Sequence, residues 1–273
     1  MTKLLQISDL HFGTEQPDVM RALAALSNDK KPDVLVVSGD ITQRAKPDEF
    51  SRARAFCDSL GAAQMVALPG NHDIPLYNLF ARMAKPYAAY QSAFGQPLES
   101  ELITPALCLV TVNTTRWWRH KNGEVSATQI ERVCEHLSRA TPQQLRVVVV
   151  HQPVHVLRPQ DEHDRLRGWQ SAVRAWAAAG ADVVMGGHIH LPYVCDLSSA
   201  ATVPHALARR MWCVQAGTAV SSRIRREAPN SVNLLVFSSA DDGPHCSVER
   251  WDYQAVGGRF ALAHTSELNL QRD

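Results

Sequence analysis

The sequence predicts an α/β fold: a sheet with parallel members, helices between its strands, and antiparallel strands completing a second sheet packed on the first. Short Val, Leu and Ile runs alternate with helix-patterned stretches over the first two thirds of the chain. Polar, metal-capable residues stand at the ends of those runs, and the last third switches to strand-like pieces joined by loops. At 273 residues and 45% hydrophobic content the chain suits one large domain with an ample core.

In chain order, "KLLQIS" leads to Asp9, "DVLVVSGD" ends at Asp40, and "AQMVALPGNHD" runs into Asn71, His72 and Asp73. Further on, "LRVVVVHQP" reaches His151 and "ADVVMGGHIH" reaches His188 and His190. Uninterrupted branched apolar runs are the pattern of strands buried on both faces. The intervening helices are "DVMRALAALSND", "DEFSRARAFCDSL", "SATQIERVCEHLSRA" and "WQSAVRAWAAAG", with Pro47, Ser126 and Gly180 as start and stop signals. The stretch 75–94 spaces Tyr77, Phe80, Met83, Tyr87, Tyr90 and Phe94 at roughly helical intervals broken by Pro86. It reads mainly as core, and alternatively as a lid wall against an apolar or acyl substituent. "PYVCDLS", "RRMWCVQAG", "SVNLLVFSS" and "PHCSVERWDY" read as the antiparallel strands of the second sheet. The domain is expected over residues 1–256, with 257–273 as a weakly patterned, poorly ordered tail.

The global charge is close to neutral. A net charge of +1 calls for neither a nucleic acid polymer nor a membrane surface. Asp9 comes too early for a signal peptide, and no run approaches the roughly 18 apolar residues of a span. The expectation is a cytoplasmic protein, with membrane contact only peripheral and only if the substrate is a lipid. The six cysteines lack any C-x-x-C pair and read as inert small hydrophobes.

The chemistry lies at the strand ends. Asp9-x-His11, Gly39-Asp40, Gly70-Asn71-His72-Asp73, His151 and Gly187-His188-x-His190 deliver oxygen and imidazole donors to the edge where open α/β sheets build their sites. Singly, Asp9 and Asp40 would be read as helix caps and His151 as a polar residue under a loop; their convergence is what points to a site. Mixed carboxylate, amide and imidazole donors suit Mn, Fe or Zn and lack the thiolates of a structural zinc site. The preceding glycines let backbone approach a crowded centre or take positive φ.

This ordered set resembles the calcineurin-like metallophosphoesterase superfamily over roughly residues 3–220. The resemblance implies a two-sheet β-sandwich flanked by helices, with two divalent or mixed-valence metals at the strand C-terminal ends. It assigns Asp9, His11 and His190 to one metal, Asn71, His151 and His188 to the other, and Asp40 to both. Two such metals share a hydroxide and clamp the attacked phosphorus. His72 would then stabilise phosphoryl charge and protonate the leaving alkoxide, with Asp73 orienting its imidazole.

"LLQISDLHFG", "SGDIT" and "LPGNHD" resemble bacterial cyclic-nucleotide phosphodiesterase-like members, which implies a small phosphodiester substrate. Gln152 departs from that group, which often carries a second histidine there. The alternative is the UDP-2,3-diacylglucosamine hydrolase type of lipid A synthesis, which shares "ISDLH" but typically has arginine at the His72 position. A non-catalytic scaffold of the same fold is a third class, disfavoured because such scaffolds usually lose His72 or ligands. Substrate contacts are expected from Arg116, Trp117 and Trp118 in "TTRWWRHKNG" and from Arg223 in "SSRIRREAPNS"; an edge loop and a solvated loop are the bland alternatives.

Overall fold

The computed structural model describes residues 1–95, 97–199, 207–226, 228–240 and 243–271. Strands β1 (Thr2–Ile7), β2 (Val34–Ser38) and β3 (Gln64–Leu68) run parallel, crossed over by helices α1 (Pro17–Lys30) and α2 (Pro47–Ser59). Both helices begin on proline with an acid in the first turn, where a missing N–H matters least and negative charge meets the helix dipole favourably.

The second sheet is built from β4 (Glu101–Thr104), β5 (Leu107–Thr111), β6 (Leu145–Val149), β7 (Val183–Gly186), β8 (Tyr193–Asp196) and β9 (Trp212–Gln215), in the order β4-β5-β6-β7-β9-β8. Its four central strands are parallel. Helix α5 (Ala127–Ser138), opened by a capping box between Ser126 and Gln129, and α6 (Trp169–Ala178) cover its outer face. Leu4, Val36 and Leu235 of one sheet meet Leu109, Val147 and Met185 of the other in the inter-sheet core. Strands covered on both faces explain why their sequence runs do not alternate.

Two expectations about the last third need correction. Strands β10 (Ser231–Ala240) and β11 (Gly243–Gln254) do not build the second sheet; β10 pairs antiparallel with β1 and extends the first. Alternation along a strand reveals its faces, not its neighbour, and β1 left one edge unpaired. The expected tail from Gly257 instead contains β12 (Arg259–Glu267), paired along β11 in a first sheet ordered β12-β11-β10-β1-β2-β3. It forms an edge strand exposed over much of its length, which blurs the apolar period; Phe260 and Leu268 are nonetheless buried. Arg272 and Asp273 of that segment, and Glu227 of the 221–231 loop, lie outside the described residues.

The 75–94 stretch splits as Pro86 implied, into α3 (Leu79–Ala84) and α4 (Ala88–Phe94). Tyr90 and Phe94 pack with Phe50, but Tyr77 (76%), Phe80 (84%) and Met83 (66%) are exposed, so the front half is not core. Among the described residues no helix is long and apolar enough to cross a membrane.

Deleting the chain from Gly257 onward should destabilise the protein by several kcal/mol, since burial of Phe260 and Leu268 is worth ~1.5–3 kcal/mol each. It should also promote association through the bared β11 edge. Chemical denaturation with sedimentation checks both; wild-type stability would mark the segment as a mere appendage.

Candidate metal centre

The residues singled out at the strand ends leave their strands through an unusual backbone conformation. Of the seven non-glycine residues with positive φ among those described, five are Asp9 (52°), His11 (42°), Asp40 (49°), His188 (75°) and His190 (56°). That geometry costs on the order of 1–3 kcal/mol for a residue with a Cβ, and Asp and His tolerate it better than most. Glycine permits the loops to touch. A Cβ on Gly39 (φ 93°) would lie 2.4 Å from His151 Nδ1, one on Gly70 2.1 Å from the Asp40 amide nitrogen, and one on Gly187 2.0 Å from Ser8 Oγ.

The result is two adjoining donor groups. Asp9, His11, Asp40 and His190 form one, and Asp40, His151 and His188 the other, each with facing atoms within 4.8 Å. His11 Nε2 lies 3.3 Å from His190 Nε2 and 3.7 Å from Asp40 Oδ2, while His190 Nε2 is 3.2 Å from Asp9 Oδ1. On the other side His151 Nε2 is 3.3 Å from Asp40 Oδ1. Asn71 Oδ1, His151 Nε2 and His188 Nδ1 are buried with no hydrogen-bond partner. Buried unsatisfied acceptors are costly, and a cation at the second group would satisfy all three. The rings are also oriented from behind. His151 Nδ1 donates to the Ser38 carbonyl (2.8 Å) and His190 Nδ1 to the Arg223 carbonyl, which turns each Nε2 inward.

Electrostatics fits the same use. Burial drives His11 down to about 3 and lowers His188, keeping both imidazoles neutral and able to ligate. Burial alone would raise the Asp9 carboxyl, yet the facing His190 holds it at about 2; Asp40 is likewise held well below the usual range by His151 and His72. His151 goes the other way, to about 9, because Asp40 outweighs burial.

His72 stands over the first group, its ring centroid 4.8 Å from that of His11. Its Nδ1 donates to the Gln43 carbonyl (3.2 Å), and Arg223 Nη1 donates to its Nε2 (3.2 Å) and to Gln43 Oε1 (3.1 Å). Asp73 does not orient His72, contrary to expectation. Its carboxylate accepts the N–H groups of Gly70, Ile41 and Thr42 and the Thr42 hydroxyl, locking the 70–73 turn to the loop after β2. Burial and the neighbouring Asp40 raise it to about 7. Only the tertiary approach of those loops decides where its hydrogen bonds go.

Arg116 lines an open cleft beside Trp118 and also braces the backbone around it. Its guanidinium donates to the carbonyls of Asn113 and Thr115 and to Gln129 Oε1, bracing its own loop. Trp117 and Trp118 meet edge to face and are 38% and 56% exposed, so they are not core; Trp118 lines a cleft of about 810 Å³ with Glu99, Glu124 and Arg132. Gln152 accepts from the Thr114 hydroxyl and donates to the Lys121 carbonyl, tying this loop to the end of β6. Gln43 and His120, which is lowered by burial and by nearby His72, were not legible beforehand, because no local pattern marks them.

A family model described as calcineurin-like phosphoesterase matches residues 2–192. The chain belongs to that family. A cAMP/cGMP dual specificity phosphodiesterase of Mycobacterium tuberculosis is 22% identical over 201 residues, 68% of this chain and 61% of the relative. A probable cyclic nucleotide phosphodiesterase of Rhodococcus erythropolis is 21% identical, covering 68% of this chain and 64% of its own, so the match spans less than two thirds of either relative. The UDP-2,3-diacylglucosamine pyrophosphatase LpxG of Chlamydia trachomatis is 40% identical over 81 residues, 28% of this chain and 23% of that one. By fold, yellow lupin purple acid phosphatase PPD1 matches 97% of this chain and 53% of its own at TM-score 0.65 and 13% identity. Vps29 of Entamoeba histolytica matches at 0.52 and 10%, over 98% of this chain and 100% of its own. One architecture thus serves a phosphatase and a protein named for vacuolar sorting.

His11 yields a pH prediction. Its imidazole falls from 6.5 to about 3 on folding, so between these values the unfolded chain holds the extra proton. Stability of the chelator-treated protein should therefore fall as pH drops from 6.5 towards 3, and His11→Gln should flatten that limb. Thermal melts across pH check it; an identical slope in the variant would contradict the buried neutral ring.

Proposed function

We propose that the protein is a dinuclear metal-dependent phosphodiesterase acting on a small, cyclic-nucleotide-like phosphodiester. One observation supports this above the rest: two donor groups share Asp40, with His72 and Arg223 directly over them. Asp9, His11 and His190 would hold one Mn, Fe or Zn ion, Asn71, His151 and His188 the other, and Asp40 both. Such a pair supplies ionised water near neutral pH and a positive clamp for phosphoryl oxygens. Arg223 would take a phosphoryl oxygen in a charge-assisted contact, freeing His72 Nε2 to gain a proton from solvent and, as imidazolium, to pass it to the leaving alkoxide. Arg225 steadies this arm by bonding Asp161 and the Ile189 carbonyl.

A second reading, a lipid-linked substrate of the diacylglucosamine type, is favoured by the exposed apolar face next to the 71–73 turn. Tyr77, Leu79, Phe80 and Met83 project there beside a cleft of about 450 Å³ rimmed by Arg44, Lys46 and Lys85. The scaffold class is opposed by the complete donor set.

Hydrolysis of cyclic mononucleotides, a UDP-diacylglucosamine and bis-p-nitrophenyl phosphate, with chelation and Mn²⁺ add-back, tests these readings. Chelation should abolish turnover and Mn²⁺ restore it. His72→Ala should lose ~10²–10⁴-fold on the nucleotides but less on the p-nitrophenyl ester, whose leaving group hardly needs a proton. Preference for the lipid, lost in Phe80→Ser, would select the second reading; full activity after chelation would overturn both.

A further inference from the structure

We infer that Asp164 is a positioning residue for His188, held in place by Lys121, and that this pair sets how tightly the second donor group binds its cation. The inference rests on the dinuclear reading above but not on any choice of substrate. His188 is buried, and its Nε2 lies 3.5 Å from Asp164 Oδ1. Neither ring nitrogen makes a hydrogen bond of good geometry; with Nε2 turned to the Asp164 carboxylate, Nδ1 is the nitrogen left for the group formed with Asp40 and His151. Asp164, itself only 7% exposed, ends a 3₁₀ turn at Pro159–Asp164. Lys121 Nζ sits 2.8 Å from the same Oδ1, and His163 Nε2 3.3 Å from Oδ2.

Two features make this more than a surface ion pair. The turn is fastened to the ligand segment itself, since Arg225 bonds both oxygens of Asp161 and the carbonyl of Ile189, between His188 and His190. His188 is also treated differently from its fellow imidazoles. His151 and His190 are backed by neutral carbonyls, those of Ser38 and Arg223, whereas His188 is backed by a carboxylate. A carboxylate behind a ligating imidazole fixes its tautomer and raises its basicity, and losing such a partner typically costs 10–100-fold in metal affinity. Lys121 belongs to the tryptophan-bearing loop, so displacing that loop would release the carboxylate.

The test uses full-length protein, stripped of metal and titrated with Zn²⁺ against a chromophoric chelator that resolves two stepwise affinities. His188→Ala identifies which affinity belongs to the second group. Asp164→Ala should weaken that affinity by about 10–100-fold and leave the other unchanged. Asp164→Asn and Lys121→Met should weaken it less, and the metal-free melting temperature should stay close to wild type. Two wild-type affinities in Asp164→Ala would overturn the inference alone. Equal loss at both sites with a lowered metal-free melting temperature would overturn it too, by showing a merely structural role. A wild-type protein taking up no metal would overturn the dinuclear reading, and this inference with it.

Discussion

Asp40 is a carboxylate only 2% exposed, sealed between the ends of two sheets, and a charge so placed is costly unless opposite charge and donors surround it. Its Oδ1 accepts the backbone N–H of His72 and faces His151 Nε2, while Oδ2 faces His11 Nε2. One side chain thereby joins the end of β2 to the turn after β3, to the end of β6 in the opposite sheet and to the loop after β1. Gly70 makes this approach possible because any side chain there would strike the Asp40 backbone. Asp73 then clamps the two loops together through three hydrogen bonds from Ile41 and Thr42, and closes its own turn through the Gly70 N–H.

The price of this arrangement is backbone strain gathered at one edge. Five left-handed residues at the site, each costing on the order of 1–3 kcal/mol, are held by two packed sheets whose inner strands are almost wholly buried. In return the donors are fixed before any ligand arrives. His151 and His190 are turned by carbonyls, Asp9 accepts the His188 amide, and little reorganisation is left for binding. Preorganisation of this kind is what makes electrostatic stabilisation of a developing phosphoryl charge effective.

The strand ends were legible because branched apolar runs stop at polar residues, a contrast visible without any tertiary information. Asp9, His11, Asp40, His151, His188 and His190 could be placed on one edge for that reason. What stayed hidden depends on partners distant in sequence. Nothing in "SVNLLVFSS" reveals that it pairs with β1 rather than with the second sheet. Asp73 is adjacent to His72 in the chain but turned towards Ile41 and Thr42, and Asp164 reaches His188 only because a turn 24 residues earlier folds back over it. The stripe from Tyr77 to Phe94 misled through its even spacing. Proline broke it, so its second half packs in the core and its first half faces outward.

On the proposed reading, the strand ends gather two metal ions around one shared carboxylate, Asp40. Anomalous diffraction from crystals grown with Mn²⁺ measures this most directly. Two peaks about 3.5–4 Å apart are predicted, one against Asp9, His11 and His190, the other against Asn71, His151 and His188, both touching Asp40. A single peak, or none at these residues, would contradict it.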